Sequence, residues 1–201
     1  MSYKYDIFIS YRRHGEWPDW VKEKFLPIFY HWIGEELGRD VRIFFDQNVE
    51  SGTSWPNELA YALAHSKVLV PLWSRQYFNS NWCKAELSHM LMREKECGFR
   101  TPNKPTGLII PATIHDGQDL PKVIRSISYE QLQECTNIRM AKNSSTEEEL
   151  SRKICRWAPS IVKAICEVPP HDLNWASMTY EDFSGLYETS ESKQYELPSL
   201  G

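Results

Sequence analysis

The stretch Val68-Leu69-Val70-Pro71-Leu72 is apolar at every position. Such an uninterrupted run is typical of a central parallel strand, which is covered on both faces of its sheet. Upstream, residues 5–10 form a second apolar, β-prone run that ends in the polar segment 11–15. Between and beyond these runs, apolar residues recur at the three- and four-residue steps of a helix with one buried face. This alternation predicts an α/β fold, a parallel sheet with helices on both sides.

The other elements follow from the same patterns. Pro27 lies inside the first predicted helix and should kink or split it, because proline has no N–H to donate. The segment 73–79 is expected to be connecting structure. We expect further strands at residues 41–45, 107–111 and 126–132. We expect four helices: the first over residues 17–37, the second beginning after a cap at Ser54, the third over residues 81–96 after a cap at Ser80, and the fourth around residues 150–165.

Residues 169–201 differ from the rest of the chain in composition. They carry six acidic residues against one lysine, and they begin with Pro169-Pro170, which ends the preceding helix. We therefore divide the chain into a domain at residues 1–168 and an acidic, aromatic C-terminal tail at residues 169–201. Aromatic residues around Phe183 recur at helical steps, so the tail either forms a short helix that docks on the domain or on a partner, or is disordered.

Composition and charge exclude several classes of protein. The net charge of −4 argues against a general nucleic-acid-binding protein, which would show a basic stripe. No secretory signal opens the chain and no apolar stretch is long enough to span a bilayer, so no membrane partner is expected. Five cysteines without CxxC spacing favour reduced thiols, and six scattered histidines give no metal-ligand spacing. We expect a cytoplasmic protein without a metal site.

Three stretches carry a more specific signal. They are Tyr5-Asp6-Ile7-Phe8-Ile9-Ser10-Tyr11-Arg12-Arg13, Phe45-Asp46-Gln47-Asn48-Val49-Glu50-Ser51-Gly52-Thr53-Ser54-Trp55 and Ser80-Asn81-Trp82-Cys83-Lys84-Ala85-Glu86-Leu87. In order and spacing they resemble the signatures of the Toll/interleukin-1 receptor (TIR) domain family. The resemblance covers residues 4–96 through these motifs and residues 97–168 through the order of the elements.

The resemblance implies a flavodoxin-like fold, with a five-stranded parallel sheet and helices on both faces, and self-association through TIR–TIR contacts. For the microbial, enzymatic branch of the family it implies cleavage of the nicotinamide–ribose bond of NAD⁺. The catalytic glutamate of that branch falls on Glu86, and its neighbouring aromatic residue falls on Trp82. The chain has no GxGxxG and no GxxxxGK[ST] motif, so NAD⁺ would be a substrate and no cofactor is expected.

A glutamate at position 86 suits this chemistry. Loss of nicotinamide builds positive charge at the anomeric carbon of the ribose, and a carboxylate beside that carbon stabilises the charge or captures it covalently. Nicotinamide leaves as a neutral molecule, so no general acid is needed. Trp82 and Glu86 are four residues apart and share one helix edge, at the margin of the core. The alternatives are a solvated glutamate on an exposed helix face and a tryptophan that only fills the core.

Further candidates for substrate binding follow the first two strands. Tyr11, Arg12 and Arg13 come after the first strand, where guanidinium groups suit a pyrophosphate or an adenylate, although surface salt bridges would explain the arginines equally well. Asp46 comes after the second strand and either orients ribose hydroxyls or organises a turn. Trp55 could close over a bound base or anchor its loop against a neighbouring subunit.

Together these observations favour a microbial-type TIR NAD⁺ glycohydrolase in a defence or signalling pathway, with linear or cyclic ADP-ribose as its product. Its partners would be NAD⁺, further copies of the chain, and an upstream sensor or downstream effector protein. A non-catalytic TIR adaptor is the alternative from another class, because pairing through residues 46–55 requires no catalytic glutamate. A nucleoside deoxyribosyltransferase-like enzyme is a third interpretation, since it uses the same carboxylate chemistry.

Overall fold

Parallel strands form the centre of the computed structural model, which describes residues 2–45, 55–115, 120–121 and 124–177. Within these residues the strands pair in one sheet in the order β2-β1-β3-β4-β5. Every pairing is parallel, and this strand order is that of flavodoxin-like sheets. The predicted α/β class and flavodoxin-like sheet are therefore confirmed. The strands are β1 (Tyr5–Tyr11), β2 (Ile43–Phe44), β3 (Ser66–Trp73), β4 (Ala112–Thr113) and β5 (Glu130–Gln131).

Helices connect these strands. α5 has the predicted bounds, and α6 extends beyond the predicted residues at both ends. α3 begins at Trp55, whereas its predicted cap, Ser54, lies outside the described residues. No helix in the described part of the chain is both long and apolar enough to cross a membrane. The helices are α1 (Trp17–Trp20), α2 (Leu26–Leu37), α3 (Trp55–Ala64), α4 (Arg75–Phe78), α5 (Asn81–Glu96) and α6 (Ser145–Glu167).

β1 and β3 form the buried centre of the sheet, as the apolar runs predict. Ile7 pairs with Val68 and Ile9 pairs with Val70, and none of these four residues is more than 1% exposed. Burial of each such side chain contributes about 1.5–3 kcal/mol to the stability of the fold. β1 is also paired with β2 on its other side, at Ile7 and Phe8, whereas its carboxyl end at Ser10 and Tyr11 pairs with β3.

The first predicted helix is interrupted, and Pro27 accounts for the interruption. α1 is followed directly by a π-helical segment, Val21–Phe25, and only then by α2. Pro27 lies in the first turn of α2, where its missing N–H costs no hydrogen bond; in one continuous helix it would lie in the interior. The wider π turn ahead of Pro27 accommodates the interruption between α1 and α2. α2 ends at Leu37 and is capped by Gly38, whose φ of 65° is the left-handed conformation that glycine adopts easily.

Two predicted strands are shorter than expected. β2 covers only Ile43–Phe44 of the predicted residues 41–45, and β5 covers only Glu130–Gln131 of the predicted residues 126–132. Ahead of β5 the chain turns, because the N–H of Ile127 donates to the carbonyl of Ile124 at 2.9 Å. The amides in this turn bond locally and cannot extend the strand.

The predicted position of the fourth strand is wrong. β4 lies at Ala112–Thr113 and not at residues 107–111, where only an isolated bridge joins Ile109 to Leu69. The buried carboxylate of Glu94 gives the physical reason. It accepts hydrogen bonds from the backbone N–H groups of Leu108 at 2.5 Å and Ile109 at 2.9 Å. A side chain of α5 therefore takes two amides that a regular strand would offer to its neighbour.

The first residues of the predicted tail lie against the domain. Tyr3 Oη donates to the carbonyl of Pro169 at 2.9 Å. Trp175, in the 3-10 turn Leu173–Ser177, is 5% exposed, and its ring lies 4.1 Å from the guanidinium carbon of Arg93. The predicted helix around Phe183 lies outside the described residues. The division of the chain at residue 168 stays a prediction.

Candidate active site

The carboxyl ends of β1 and β3 lie side by side at one edge of the sheet. Ser10 pairs with Pro71 and Tyr11 pairs with Leu72 in this region. Beyond β3 the chain forms α4 and α5, so both helices follow directly from this edge. Ligands of open parallel sheets bind outside the carboxyl ends of the strands. The site is built here from the end of β1 and the two helices.

Two serines fix the beginnings of the two helices. Ser74 Oγ accepts a hydrogen bond from the backbone N–H of Tyr77 at 3.2 Å, and Ser80 Oγ accepts one from the N–H of Cys83 at 3.4 Å. Each cap satisfies an N–H group that has no partner inside its helix. The predicted cap at Ser80 is confirmed, whereas α4 forms where connecting structure was expected. A helix of four residues is too short to show a periodic apolar pattern.

Glu86 lies on the buried side of α5. The residue is only 5% exposed, and its Oε2 accepts a hydrogen bond from Ser10 Oγ on β1. This burial excludes the alternative of a solvated glutamate on an exposed helix face. A buried carboxylate keeps its charge only where donors replace the water that it loses, and the Ser10 hydroxyl is such a donor. The catalytic role of Glu86 stays a prediction.

Tyr77 extends this contact into a row of hydroxyl groups. Its side chain is fully buried, and its Oη lies 2.9 Å from Ser10 Oγ. The same Oη lies 3.2 Å from the backbone carbonyl of Cys83, in the first turn of α5. Tyr77, Ser10 and Glu86 therefore form a continuous hydrogen-bonded row that joins α4, β1 and α5.

The histidine one turn after Glu86 contributes no positive charge to this site. His89 is 1% exposed, and burial together with the nearby charge of Arg93 lowers the pKa of His89 to about 3. Its imidazole is therefore neutral at physiological pH. The hydrogen bond from Ser10 does support the carboxylate of Glu86.

The predicted substrate-binding residues fall into two groups. Tyr11, at 6% exposure, ends β1 next to Ser10, and it is followed by the half-buried Arg12 and the exposed Arg13. Trp82 lies one turn before Glu86 on α5 and is half-buried, packed against the main core. The structure thus brings these four residues to the edge of the sheet that holds Glu86. Asp46 lies outside the described residues, and so does the side chain of Trp55, the first residue of α3.

Two functional candidates, Ser10 and Tyr77, could not be recognised from the sequence. Ser10 lies in the first of the three TIR-like motifs, but the motif alone indicates no role for it. A polar residue at the end of an otherwise apolar strand was the available signal. Tyr77 gave no local signal, because its hydroxyl finds a partner 67 residues away.

The sequence as a whole matches a known family. A model of the TIR domain matches residues 7–155, which is most of the chain. The chain belongs to the TIR domain family. The match includes all of α5 and β1 from Ile7 onward, and therefore both ends of the Ser10–Glu86 contact.

Curated relatives of this TIR domain include plant disease resistance proteins. One from Arabidopsis thaliana is 24% identical over 181 residues, which are 90% of this chain and 14% of the relative. Another from the same plant, disease resistance protein RPP1, is 33% identical over 90 residues, which are 45% of this chain and 7% of the relative. The TIR chain therefore spans only a small part of these relatives.

Solved structures also include similar chains. The TIR domain of a Toll-related receptor from Hydra magnipapillata is 19% identical, with a TM-score of 0.46, and the match covers 64% of this chain and 84% of the receptor domain. The TIR domains of the activated Roq1 resistosome are 18% identical, with a TM-score of 0.41, and that match covers 96% of this chain and all of the other.

Proposed function

We propose that this TIR domain cleaves the bond between nicotinamide and ribose in NAD⁺, with Glu86 as the catalytic carboxylate. The observation that carries the proposal is the position of that carboxylate, buried at the carboxyl end of β1 and hydrogen-bonded to Ser10. A TIR domain that acted only as an adaptor would not require a catalytic acid at this place.

The proposed reaction requires few groups. As the bond breaks, its electron pair leaves with nicotinamide, which departs neutral, and positive charge develops at the anomeric carbon of the ribose. The carboxylate of Glu86 stabilises this charge or forms a covalent bond to that carbon. The effect is stronger in a buried site than in water, because the surroundings screen the charges less. Water, or a group of the same molecule, then attacks the ribose and gives linear or cyclic ADP-ribose.

The remaining candidates would bind the substrate. In our proposal Trp82 stacks on the nicotinamide ring, and Tyr11, Arg12 and Arg13 hold the pyrophosphate and the adenylate end of NAD⁺. Asp46 would orient ribose hydroxyls and Trp55 would close over a base. NAD⁺ is the substrate in this scheme, so no separate cofactor takes part.

The biological setting that we propose is defence signalling. The relatives named above are plant disease resistance proteins, and their names motivate this part of the proposal. We further propose that copies of the chain assemble through TIR–TIR contacts, under the control of an upstream sensor or toward a downstream effector. The sequence alone suggested a microbial enzyme, but the proposed chemistry does not depend on a microbial origin.

The direct test is a product profile. Purified chain, at a series of concentrations and with and without a fused oligomerisation domain, is incubated with NAD⁺, and the products are separated by chromatography. We expect free nicotinamide and ADP-ribose in equal amounts, with a rate per molecule that rises on assembly. If NAD⁺ stays intact in every sample, the adaptor function replaces the enzymatic one. Cleavage of nucleosides but not of NAD⁺ would instead identify a deoxyribosyltransferase-like enzyme.

Substitution of Trp82 tests the proposed stacking. Stacking of an aromatic side chain on a planar base contributes about 1–3 kcal/mol, so Trp82→Ala should raise KM for NAD⁺ by roughly tenfold or more. Trp82→Phe retains a ring and should recover most of the loss. Initial rates of nicotinamide release over a range of NAD⁺ concentrations give both constants. Equal KM values in the wild type and in Trp82→Ala would show that Trp82 only fills the core.

A further inference from the structure

In the row formed by Tyr77, Ser10 and Glu86, the direction of each hydrogen bond follows from the number of protons that each group carries. An ionised carboxylate can only accept hydrogen bonds, so the single proton of Ser10 Oγ must point at Glu86. Ser10 Oγ can then interact with Tyr77 Oη, 2.9 Å away, only by accepting the proton of the tyrosine. The Tyr77 hydroxyl also donates to the Cys83 carbonyl at 3.2 Å, so in this state its single proton is shared between the shorter contact with Ser10 and this longer one. Two donors in series therefore point toward the ionised carboxylate.

Protonation of Glu86 would reverse the whole row. A neutral carboxyl group can donate to Ser10 Oγ, which then donates to Tyr77 Oη, and the tyrosine donates to the Cys83 carbonyl. The row thus satisfies every hydroxyl in either state, but only the ionised state places two aligned O–H dipoles toward the acid. Aligned hydrogen bonds strengthen one another in a buried site.

We propose that Ser10 and Tyr77 are positioning residues that hold the Glu86 carboxylate ionised and in a fixed orientation. Ser10 acts directly and Tyr77 acts through Ser10. The burial of the three residues excludes the water that would otherwise compete for these hydrogen bonds. The use of this carboxylate in catalysis rests on the proposed cleavage of NAD⁺. The positioning of the carboxylate by the hydrogen-bonded row does not depend on that proposal.

The experiment follows the titration of Glu86 directly. Protein labelled with ¹³C at the glutamate side-chain carboxyl carbons is titrated by NMR, and the Glu86 signal is identified as the one that is lost in Glu86→Gln. Ser10→Ala removes the direct donor to the carboxylate. A hydrogen bond to a charged group corresponds to a displacement of the titration midpoint by about one pH unit, and we expect an upward displacement of this size. Tyr77→Phe should give a smaller displacement in the same direction.

Ser66→Ala is the matched control. Ser66 is fully buried on the neighbouring strand β3, at the opposite edge of the sheet, and its Oγ donates to the carbonyl of Ala62 at 2.7 Å. This variant also loses one buried hydroxyl but should leave the Glu86 midpoint unchanged. Neither serine substitution alters a charged or titratable group. On the elements that meet at Glu86 these groups are Tyr5, Asp6 and Tyr11 on β1, Arg12 and Arg13 after it, Lys67 on β3, Arg75 and Tyr77 on α4, and Cys83, Lys84, His89, Arg93, Glu94, Lys95 and Glu96 on α5.

The outcomes separate this inference from the proposed function. An unchanged midpoint in Ser10→Ala, or an equal displacement in Ser66→Ala, would overturn the positioning role. In an enzyme that releases nicotinamide, the acid limb of the pH profile of kcat/KM should move with the NMR midpoint. A displaced midpoint in a protein that leaves NAD⁺ intact would support the hydrogen-bonded row and reject the enzymatic proposal.

Discussion

Glu86→Gln is expected to abolish nicotinamide release while leaving the domain folded. Glutamine has the size of glutamate and can still bond to Ser10, but it carries no charge with which to stabilise the developing cation. Loss of one electrostatic contact to a transition state costs roughly a hundredfold to a thousandfold in rate, and loss of a nucleophile costs more. We therefore expect kcat/KM to fall by at least about a thousandfold. The measurement is the initial rate of nicotinamide release, with circular dichroism to check the fold.

The matched control for this substitution lies on the same helix. Glu96 is an exposed residue at the carboxyl-terminal end of α5, and Glu96→Gln removes the same charge far from Ser10. We expect this variant to release nicotinamide at nearly the wild-type rate. Undiminished release in Glu86→Gln would refute the role of Glu86. Equal losses in both variants would show that the net charge of the chain, and not the position of the acid, controls the reaction.

The second large effect is expected at Asp6, which lies fully buried near the amino end of β1. Arg39 donates to both of its carboxylate oxygens, at 2.8 and 2.9 Å, and Lys67 Nζ lies 3.0 Å away. The backbone N–H of Arg42 adds a further hydrogen bond at 3.1 Å. One carboxylate therefore ties β1 to β3 and to the segment that enters β2. Asp6→Asn should lower the free energy of unfolding by about 1.5–3 kcal/mol, the usual cost of losing hydrogen bonds to a charged group, because Arg39, Arg42 and Lys67 are 44%, 51% and 20% exposed and keep access to water.

The same cluster predicts a dependence of stability on pH. Burial alone would raise the pKa of Asp6, but the hydrogen bonds from Arg39, Arg42 and Lys67 outweigh burial and hold this pKa well below its usual value. A carboxyl group with a lowered pKa stabilises the fold above the pKa of the unfolded chain, about 3.9 for aspartate, and loses this effect as the pH falls further. The wild-type protein should therefore lose stability between about pH 5 and pH 2 more steeply than Asp6→Asn.

Urea unfolding at a series of pH values checks both statements. Glu149→Gln serves as the control, because it removes a carboxylate that pairs with the exposed Arg152 at 2.6 Å on the surface of α6. Such surface pairs contribute less than about 1 kcal/mol, so this variant should remain close to the wild type. If Asp6→Asn lowered the free energy of unfolding by no more than Glu149→Gln does, the stabilising role of the cluster would be contradicted.

The features that the sequence predicts well are those with an extended apolar pattern. β1 and β3 were found because burial on both faces makes each of them an apolar run, and α5 was found because its buried side chains recur at helical steps. The bounds of β2 and β5 and the position of β4 were not found. The position of β4 depends on single hydrogen bonds, those from Leu108 and Ile109 to Glu94, that link distant parts of the chain. The π-helical segment before α2 was foreseen only as an interruption at Pro27.

In the candidate site, too, the sequence predicts the local features and not the contacts between distant residues. Glu86 and Trp82 could be placed on one helix edge because their spacing is local, and Tyr11, Arg12 and Arg13 could be placed at a strand end. The Ser10–Tyr77 contact and the Asp6 cluster could not be predicted. Each joins side chains that are far apart in the sequence, and their approach depends on the register between strands and on the path of α4. A single sequence does not encode these distances in any local pattern.

The serine hydroxyl at the start of α5 also sets the rotational phase of that helix. Glu86 is the sixth residue after Ser80, and each helical residue turns the chain by about 100°. Deletion of one residue between them would swing the carboxylate by more than a quarter of a circle, away from β1, although every motif side chain except the deleted one would survive. The number of residues between Ser80 and Glu86 therefore matters as much as their identity, because it determines the direction in which the carboxylate points.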